Sequence, residues 1–393
     1  MPRRKAMKTN MKAQIVKLIA NTVIIFSVVG IIVNVSPYIQ TGINQMGKAA
    51  GYAYSPDKIA ESLQLKFSSF ISSDKGDTIT TRPEKSEQVM NTIGSKDSDD
   101  DCDITETPAD IASLMQAAKK TETESKSLGK TSEAPYQGGG TIISYKDVEI
   151  QSKIPASVYK PDIKALLEKG ADLKIKDKSK PTILVYHSHT TEAYSLLDTG
   201  YYIKSDSRSK DTAKNMVRVG DELVEYLEKA GFVVIHDTEI HDLDYNTSYD
   251  SSRKIIEKYL EEYPSIEITI DVHRDSITYS NKTKVKPTAE VNGKKAARMM
   301  IISGCEYGRV EDFPDWEYNL RFDLAVQQQV NSMYEGVMRP ILFSERKYNM
   351  YETHNSFLLE IGTDANTLDE ACYSARLFGN ALGELLNNKY VSE

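Results

Sequence analysis

From residue 181 to the carboxyl end, short apolar runs alternate with stretches of helical period, and no other feature narrows the fold as far. Residues 182–186 (TILVY), 232–236 (FVVIH), 266–272 (IEITIDV), 299–303 (MMIIS), 340–344 (PILFS) and 356–361 (SFLLEI) read as strands. Between them, 211–229 places Met216, Val217, Gly220, Leu223, Val224 and Leu227 at helical spacing, with Gly231 as a stop. Helices are also expected at 251–262, capped by Asp250 and closed by Pro264, and at 319–337. The last helix, 367–387, opens on Thr367 with Glu370 as its capping-box partner. This alternation predicts one α/β domain over 146–393, a mainly parallel sheet flanked by helices. Ligands of such sheets collect beyond the carboxyl ends of the strands.

The chain upstream has a different character. Residues 1–14 carry Arg3, Arg4, Lys5, Lys8 and Lys12 with no acidic residue. The uncharged run 18–35 (LIANTVIIFSVVGIIVNV) follows, and at 1.5 Å per residue it covers roughly 27 Å, enough to cross a hydrocarbon core. A transmembrane anchor is therefore expected at 15–36, with 1–14 cytoplasmic and the remainder outside. A cleaved signal peptide is the competing reading, but its apolar core is usually about 7–15 residues, and no small-x-small site follows here. Residues 37–145 are expected to form an extracytoplasmic tether, because from 74 onward apolar residues are too sparse to offset the entropy of ordering. Within it, 109–119 (ADIASLMQAAK) has the pattern of a short amphipathic helix. The acidic run at 96–103 lacks the glycine and terminal glutamate of an EF-hand and reads as solvated charge.

With 49 Lys+Arg against 57 Asp+Glu, the net charge of −8 argues against a nucleic-acid partner. Three isolated cysteines, Cys102, Cys305 and Cys372, exclude a disulfide scaffold and a cysteine-rich zinc module.

Chemistry gathers where strands end. One strand runs into Tyr186-His187-Ser188-His189-Thr190-Thr191-Glu192 and another into Asp271-Val272-His273-Arg274-Asp275-Ser276; a third carries Leu358-Leu359-Glu360-Ile361-Gly362. In a parallel sheet these ends share a rim, so His189, Glu192, His273 and Glu360 converge. Two imidazoles and a carboxylate form a common ligand set for catalytic zinc. Here they would be His189, Glu192 and His273, with Glu360 as the non-ligating general base. Asp271 lies on the strand face of His273 and would support it from below. Arg274 or His187 is available to assist a developing oxyanion. Each signal also has a plainer reading. H-x-x-E occurs by chance, Arg274-Asp275 is a ready salt bridge, Glu360 can pair with an arginine from another strand, and His187 can simply hydrogen-bond to structure.

The segments ILVYHSHTTEAY (183–194), DVHRDS (271–276) and SFLLEIGTDANTLDEA (356–371) resemble the stage II sporulation protein P family, over about 181–387. The resemblance implies a membrane-anchored cell-wall hydrolase of endospore-forming bacteria, related to the zinc N-acetylmuramoyl-L-alanine amidases. Their first zinc histidine closes an Asp-Pro-Gly-His turn, which sets the ligand here at His189 rather than His187. His273 then matches the later histidine and Glu360 the catalytic glutamate. The amidases' glutamate ligand lies farther from the first histidine than Glu192 does, which is a departure from their pattern. The resemblance further implies cleavage of the amide between N-acetylmuramic acid and L-alanine, and an endopeptidase activity on peptide cross-links. Action during engulfment, in the space between forespore and mother-cell membranes, is implied too. The implied partners are peptidoglycan, stage II sporulation protein D (a lytic transglycosylase) and a third membrane protein.

Two other function classes remain open at this level. A wall-binding membrane scaffold needs the anchor and tether but no catalytic glutamate. A zinc carboxypeptidase needs a cation for the substrate's terminal carboxylate, for which Arg274, Arg298 and Arg321 are available. Residues 281–292 and 306–316 read as loops, with Tyr307, Phe313 and Trp316 free either to stack on sugars or to pack.

Overall fold

Eight strands, most of them Val- and Ile-rich, build one large sheet in a computed structural model that describes residues 103–121, 127–135 and 138–392. The predicted anchor at 15–36 and the tether up to residue 102 lie outside these residues. Among the described residues no helix is long and apolar enough to cross a membrane. In chain order the strands begin with β1 (Gly129–Glu133), β2 (Thr141–Tyr145), β3 (Val148–Ser152), β4 (Pro181–Tyr186) and β5 (Tyr201–Tyr202). There follow β6 (Val233–His236), β7 (Ile268–Asp275), β8 (Lys284–Lys286) and β9 (Thr288–Val291). The last four are β10 (Lys294–Ala297), β11 (Met299–Gly304), β12 (Ile341–Ser344) and β13 (Ser356–Thr363). The helices are α1 (Ala109–Thr121), α2 (Ile163–Lys169), α3 (Met216–Lys229), α4 (Ser248–Glu262), α5 (Trp316–Met333) and α6 (Leu368–Lys389).

The large sheet has the order β2-β3-β12-β11-β13-β7-β4-β6. β13, β7, β4 and β6 are mutually parallel, as are β3, β12 and β11, but β11 meets β13 antiparallel. The sheet is therefore two parallel blocks running in opposite senses, with β2 antiparallel on the edge beside β3. The carboxyl ends of β4, β7 and β13 share one rim, and that of β11 lies on the other.

Alternation along the strands gives the sheet two apolar faces. Ile183 and Val185 of β4, Ile270 and Val272 of β7, and Phe357 and Leu359 of β13 pack into the main core with α3, α5 and α6. On the opposite face, Leu184 and Tyr186 pack with Ile256 of α4, and Leu358 packs with Met300, Ile302 and Leu342. It is this second face, under α4, that carries the polar chemistry.

Several boundaries differ from expectation. α3 begins at Met216, not 211, because Asn215 caps it by accepting from the Val217 N–H at 3.0 Å. α4 starts at Ser248, before the predicted Asp250 cap. The Thr367–Glu370 capping box opens α6, with reciprocal bonds of 3.2 and 3.0 Å. Residues 281–292, read as a loop, contain β8 and β9.

The expected start of the folded domain at 146 is also corrected. β2 pairs antiparallel with β3 on the edge of the large sheet, and β1 pairs with β8. α1 buries Ile111 completely, Asp110 meets Arg218 at 2.7 Å, and Arg376 donates to the carbonyls of Ile104 and Glu106 at 2.9 and 2.8 Å. Composition alone missed this. The amphipathic pattern at 109–119 does mark α1, but the rest of the order comes from strand pairing and ion pairs with residues far along the chain.

Candidate functional site

β7 runs three residues further than its apolar run suggested, so His273, Arg274 and Asp275 are strand residues. In the parallel pairing with β13, Asp271 stands beside Leu358 and His273 beside Glu360. Residues in register share a face, which puts Asp271, His273 and Glu360 together on the α4 side. After β4 the chain turns sharply, with the Glu192 N–H donating to the His189 carbonyl at 3.0 Å, and this turn brings His189 and Glu192 to the same rim.

The His189 and His273 rings meet edge to face with centroids 5.2 Å apart. His273 Nδ1 lies 3.5 Å from Glu192, and its Nε2 lies 2.8 Å from Asp271. Asp271 is anchored in turn by the Ser188 N–H at 2.8 Å and the Ser188 hydroxyl at 2.7 Å. Ser188 continues to Ser252 of α4 at 2.8 Å, so the helix and the site are tied by a buried polar chain. Burial works against a charge on His273, but the two carboxylates outweigh it and raise its pKa well above the ordinary value. Glu192 is buried too, yet Arg274 and then His273 draw its pKa down to about 2. His189 moves down to about 4, through burial and then the nearby His273. Glu360 moves up to about 8, through burial and then repulsion from Asp275. One of its carboxylate oxygens, Oε2, is buried without a hydrogen-bond partner.

Aromatic rings enclose this group. Tyr245 stacks on His189 at 4.4 Å, with 1° between the planes, and Tyr249 meets His189 edge-on at 5.3 Å. Tyr348 stacks on Tyr249 at 4.7 Å and is held at φ 43°, a left-handed conformation that bulky residues seldom adopt. No motif signalled these three tyrosines, which lie outside the histidine and glutamate motifs. Only the position of their segments, after β6 and before β13, could have pointed to them.

The expected supporting residues divide. Asp271 holds His273. Arg274, by contrast, is turned inward, with Nε donating to the Ala193 carbonyl at 3.1 Å, Nη2 to Ser207 at 2.6 Å and Nη1 3.7 Å from Glu192. It is fixed to the loop rather than presented to a reacting oxygen. His187 lies on the opposite face of the sheet, bonded to the Val272 carbonyl at 3.0 Å and to His236 at 2.9 Å. The oxyanion role considered for both is corrected by these contacts. Tyr307, Phe313 and Trp316 follow the far end of β11, on the opposite rim, where Phe313 is buried and Trp316 packs on Tyr159 at 4.9 Å. They pack rather than line this site. Arg298 and Arg321 reach the carbonyls of Met338 and Gly170 at 2.8 and 2.9 Å; Arg298, just before β11, accepts from the Gly362 N–H at 3.1 Å and so lies on the site's rim, whereas Arg321 belongs to α5.

Among the described residues, no three His, Cys, Asp or Glu side chains as placed converge closely enough to hold a metal ion. His189, Glu192 and His273 are neighbours, but Glu192 leans on Arg274 and His273 on Asp271. In kind, the donors fit zinc: two imidazoles and a carboxylate, with His189 Nδ1 buried and without a hydrogen-bond partner.

Of curated relatives, stage II sporulation protein P of Bacillus subtilis (strain 168) is 26% identical over 273 residues, 63% of this chain. The match spans 64% of that relative, just under two thirds of its length. Among solved structures, the crystal structure of N-acetylmuramoyl-L-alanine amidase from Clostridium difficile 630 matches at 12% identity and a TM-score of 0.32, covering 53% of this chain and 98% of that one. The apo form of an N-acetylmuramyl-L-alanine amidase from Mycobacterium abscessus gives 14% and 0.31, covering 53% and 100%. Neither likeness is close enough to carry an assignment. The family model of stage II sporulation protein P, however, matches residues 58–383, most of the sequence, and the chain belongs to that family.

Proposed function

We propose that this chain is a zinc-dependent peptidoglycan hydrolase that cleaves the amide between N-acetylmuramic acid and the L-alanine of the stem peptide. In this reading residues 15–36 anchor it in the membrane, with the domain in the space between forespore and mother cell. There it works beside stage II sporulation protein D and a third membrane protein, and an endopeptidase activity on cross-links belongs to the same proposal. The observation that carries it is Glu360, a half-buried residue whose Oε2 is buried without a hydrogen-bond partner, standing in strand register with His273 at the rim where His189 and Glu192 also arrive.

His189, His273 and Glu192 are the residues that would hold zinc. When bound, zinc polarises the amide carbonyl and makes a water acidic enough to ionise near pH 7. Glu360 takes the proton of the attacking water and delivers it to the leaving amine. Burial and repulsion from Asp275 raise its pKa above the ordinary carboxylate range, which favours the proton-carrying form that serves the leaving amine. Asp271 holds the His273 ring in place, and Ser188 and Ser252 hold Asp271. Arg274 neutralises the charge of Glu192 and fixes the turn that bears it.

The test is digestion of isolated peptidoglycan by the full chain. New amino groups on L-alanine are expected, abolished by a chelator and restored by Zn²⁺. Glu360→Gln should lower the rate about 100-fold or more while wall binding persists. Tight sedimentation with wall and no released peptide would replace the hydrolase by a scaffold. Freed terminal amino acids instead of stem peptides would replace it by a carboxypeptidase.

A further inference from the structure

One exposed pair on the lip of the site has no part in the chemistry above. Tyr245, stacked on His189, is 54% exposed. The guanidinium carbon of Arg208 lies 5.3 Å from the Tyr245 ring centroid, and the Arg208 side chain is 41% exposed. We infer that Arg208 and Tyr245 form a substrate lip that takes a carboxylate on the peptide side of the scissile amide.

Arg208 is positioned rather than merely present. Its backbone bridges to that of Glu192, so it enters beside the turn that carries the site. Its Nη1 donates to Thr191 Oγ1 at 2.9 Å and to Asp242, whose side chain is wholly buried. Asp242 in turn accepts from the Thr191 N–H at 3.0 Å and hydroxyl at 2.6 Å. These bonds fix one corner of the guanidinium. The other edge, Nε and Nη2, meets no hydrogen-bond partner among the described residues. Two parallel N–H groups on one rigid edge match the two oxygens of a carboxylate. Arg274, Arg298 and Arg321, the cations nominated from sequence, all have donors directed at backbone carbonyls. Arg208 therefore combines exposure, a free edge and contact with a ring that touches His189. Its charge is also felt at His189, where it adds to the downward shift of the imidazole pKa.

The identity of the substrate here rests on the amidase reading. The experiment titrates the full chain carrying Glu360→Gln, by calorimetry, with N-acetylmuramoyl-L-alanyl-D-glutamate and with its carboxamide counterpart. The acid is expected to bind about tenfold more tightly than the amide, the scale of one charge-assisted contact. Arg208→Gln should abolish that preference, and Arg208→Lys, which keeps a donor for Asp242, should retain only part of it. High salt should shrink it, because the lip is exposed. Equal affinity for acid and amide, or a preference that survives Arg208→Gln, overturns the inference. Should Arg208→Gln not fold, the acid–amide comparison in the Arg208 chain and in Arg208→Lys decides alone. Cleavage by the unmutated chain is read separately from released stem peptides. Cleavage with no acid preference removes the lip and leaves the hydrolase, whereas acid preference without cleavage removes the hydrolase and leaves the lip.

Discussion

His187 and His189 sit two residues apart and have opposite fates, and the reason lies in strand alternation. Tyr186 faces α4, so His187 faces α3. There its Nδ1–H donates to the Val272 carbonyl, and its Nε2 accepts from His236, whose other nitrogen lies 3.1 Å from Asp221. Burial holds the His187 pKa down to about 3, so the ring stays neutral and structural. Gly220 of α3 makes room for the pair. A Cβ there would stand 2.6 Å from His236 Nε2 and 2.7 Å from His187 Nε2. Gly220→Ala should therefore destabilise the fold by about 1–3 kcal/mol through overpacking, although alanine in a helix ordinarily gains about 1 kcal/mol over glycine. Urea denaturation measures the sign, and a stabilised variant would refute the packing argument. Metal analysis separates the two histidines. His189→Ala is expected to lose bound zinc, while His187→Ala retains it in whatever fraction remains folded. Zinc lost equally from both would return His187 to the ligand set.

α5 carries a buried carboxylate that no catalytic reading uses. Asp323 is fully buried, and neither of its oxygens is hydrogen-bonded. Burial raises its pKa well above 3.8, with only the Ser303 hydroxyl acting the other way. The folded state thus keeps a proton that the unfolded chain releases near its ordinary pKa. Stability associated with this group is complete below the unfolded value and falls as pH rises toward the folded one. Asp323→Asn cannot ionise, so its advantage over the parent should widen between pH 4 and pH 8, reaching about 1–3 kcal/mol. Parallel urea midpoints across that range would contradict this. Periodicity did reveal α5 as an element, along with β4, β7, β13, α3 and the Thr367 cap of α6, because each carries a local pattern of apolar spacing or capping. What it did not reveal depends on distant partners. The antiparallel meeting of β11 with β13 has no local signature, yet it sends Trp316 and Phe313 to the wrong rim for sugar binding. Tyr245 and Tyr348 come from segments without a period, and Tyr249 from the first turn of α4, ahead of its predicted start. The direction of Arg274 was equally invisible, since its partners include Ala193 and Ser207, far along the chain.

At the scale of the whole molecule, the outcome turns on where the folded unit begins. A domain starting at 146 would omit α1, β1 and β2, although the described residues from Asp103 onward belong to one compact unit. Its amino-terminal part is bound to the rest by fully buried Ile111, by the Asp110–Arg218 pair and by the bonds from Arg376 to the carbonyls of Ile104 and Glu106. Arg376 also meets Glu222 at 2.8 Å, so removing residues before 146 strips neighbours from a buried ion pair between α3 and α6. Burying one isoleucine stabilises by about 1.5–3 kcal/mol, and each hydrogen bond lost from a buried guanidinium adds to the cost. A chain spanning 146–393 should accordingly be less stable than one spanning 98–393 by roughly 2–5 kcal/mol. Urea denaturation of the two, monitored by circular dichroism, gives the difference directly. Matching midpoints would mean that the segment from 98 to 145 rests on the domain without supporting it. A clear loss would make it part of the fold that holds the α3–α6 layer beneath the site.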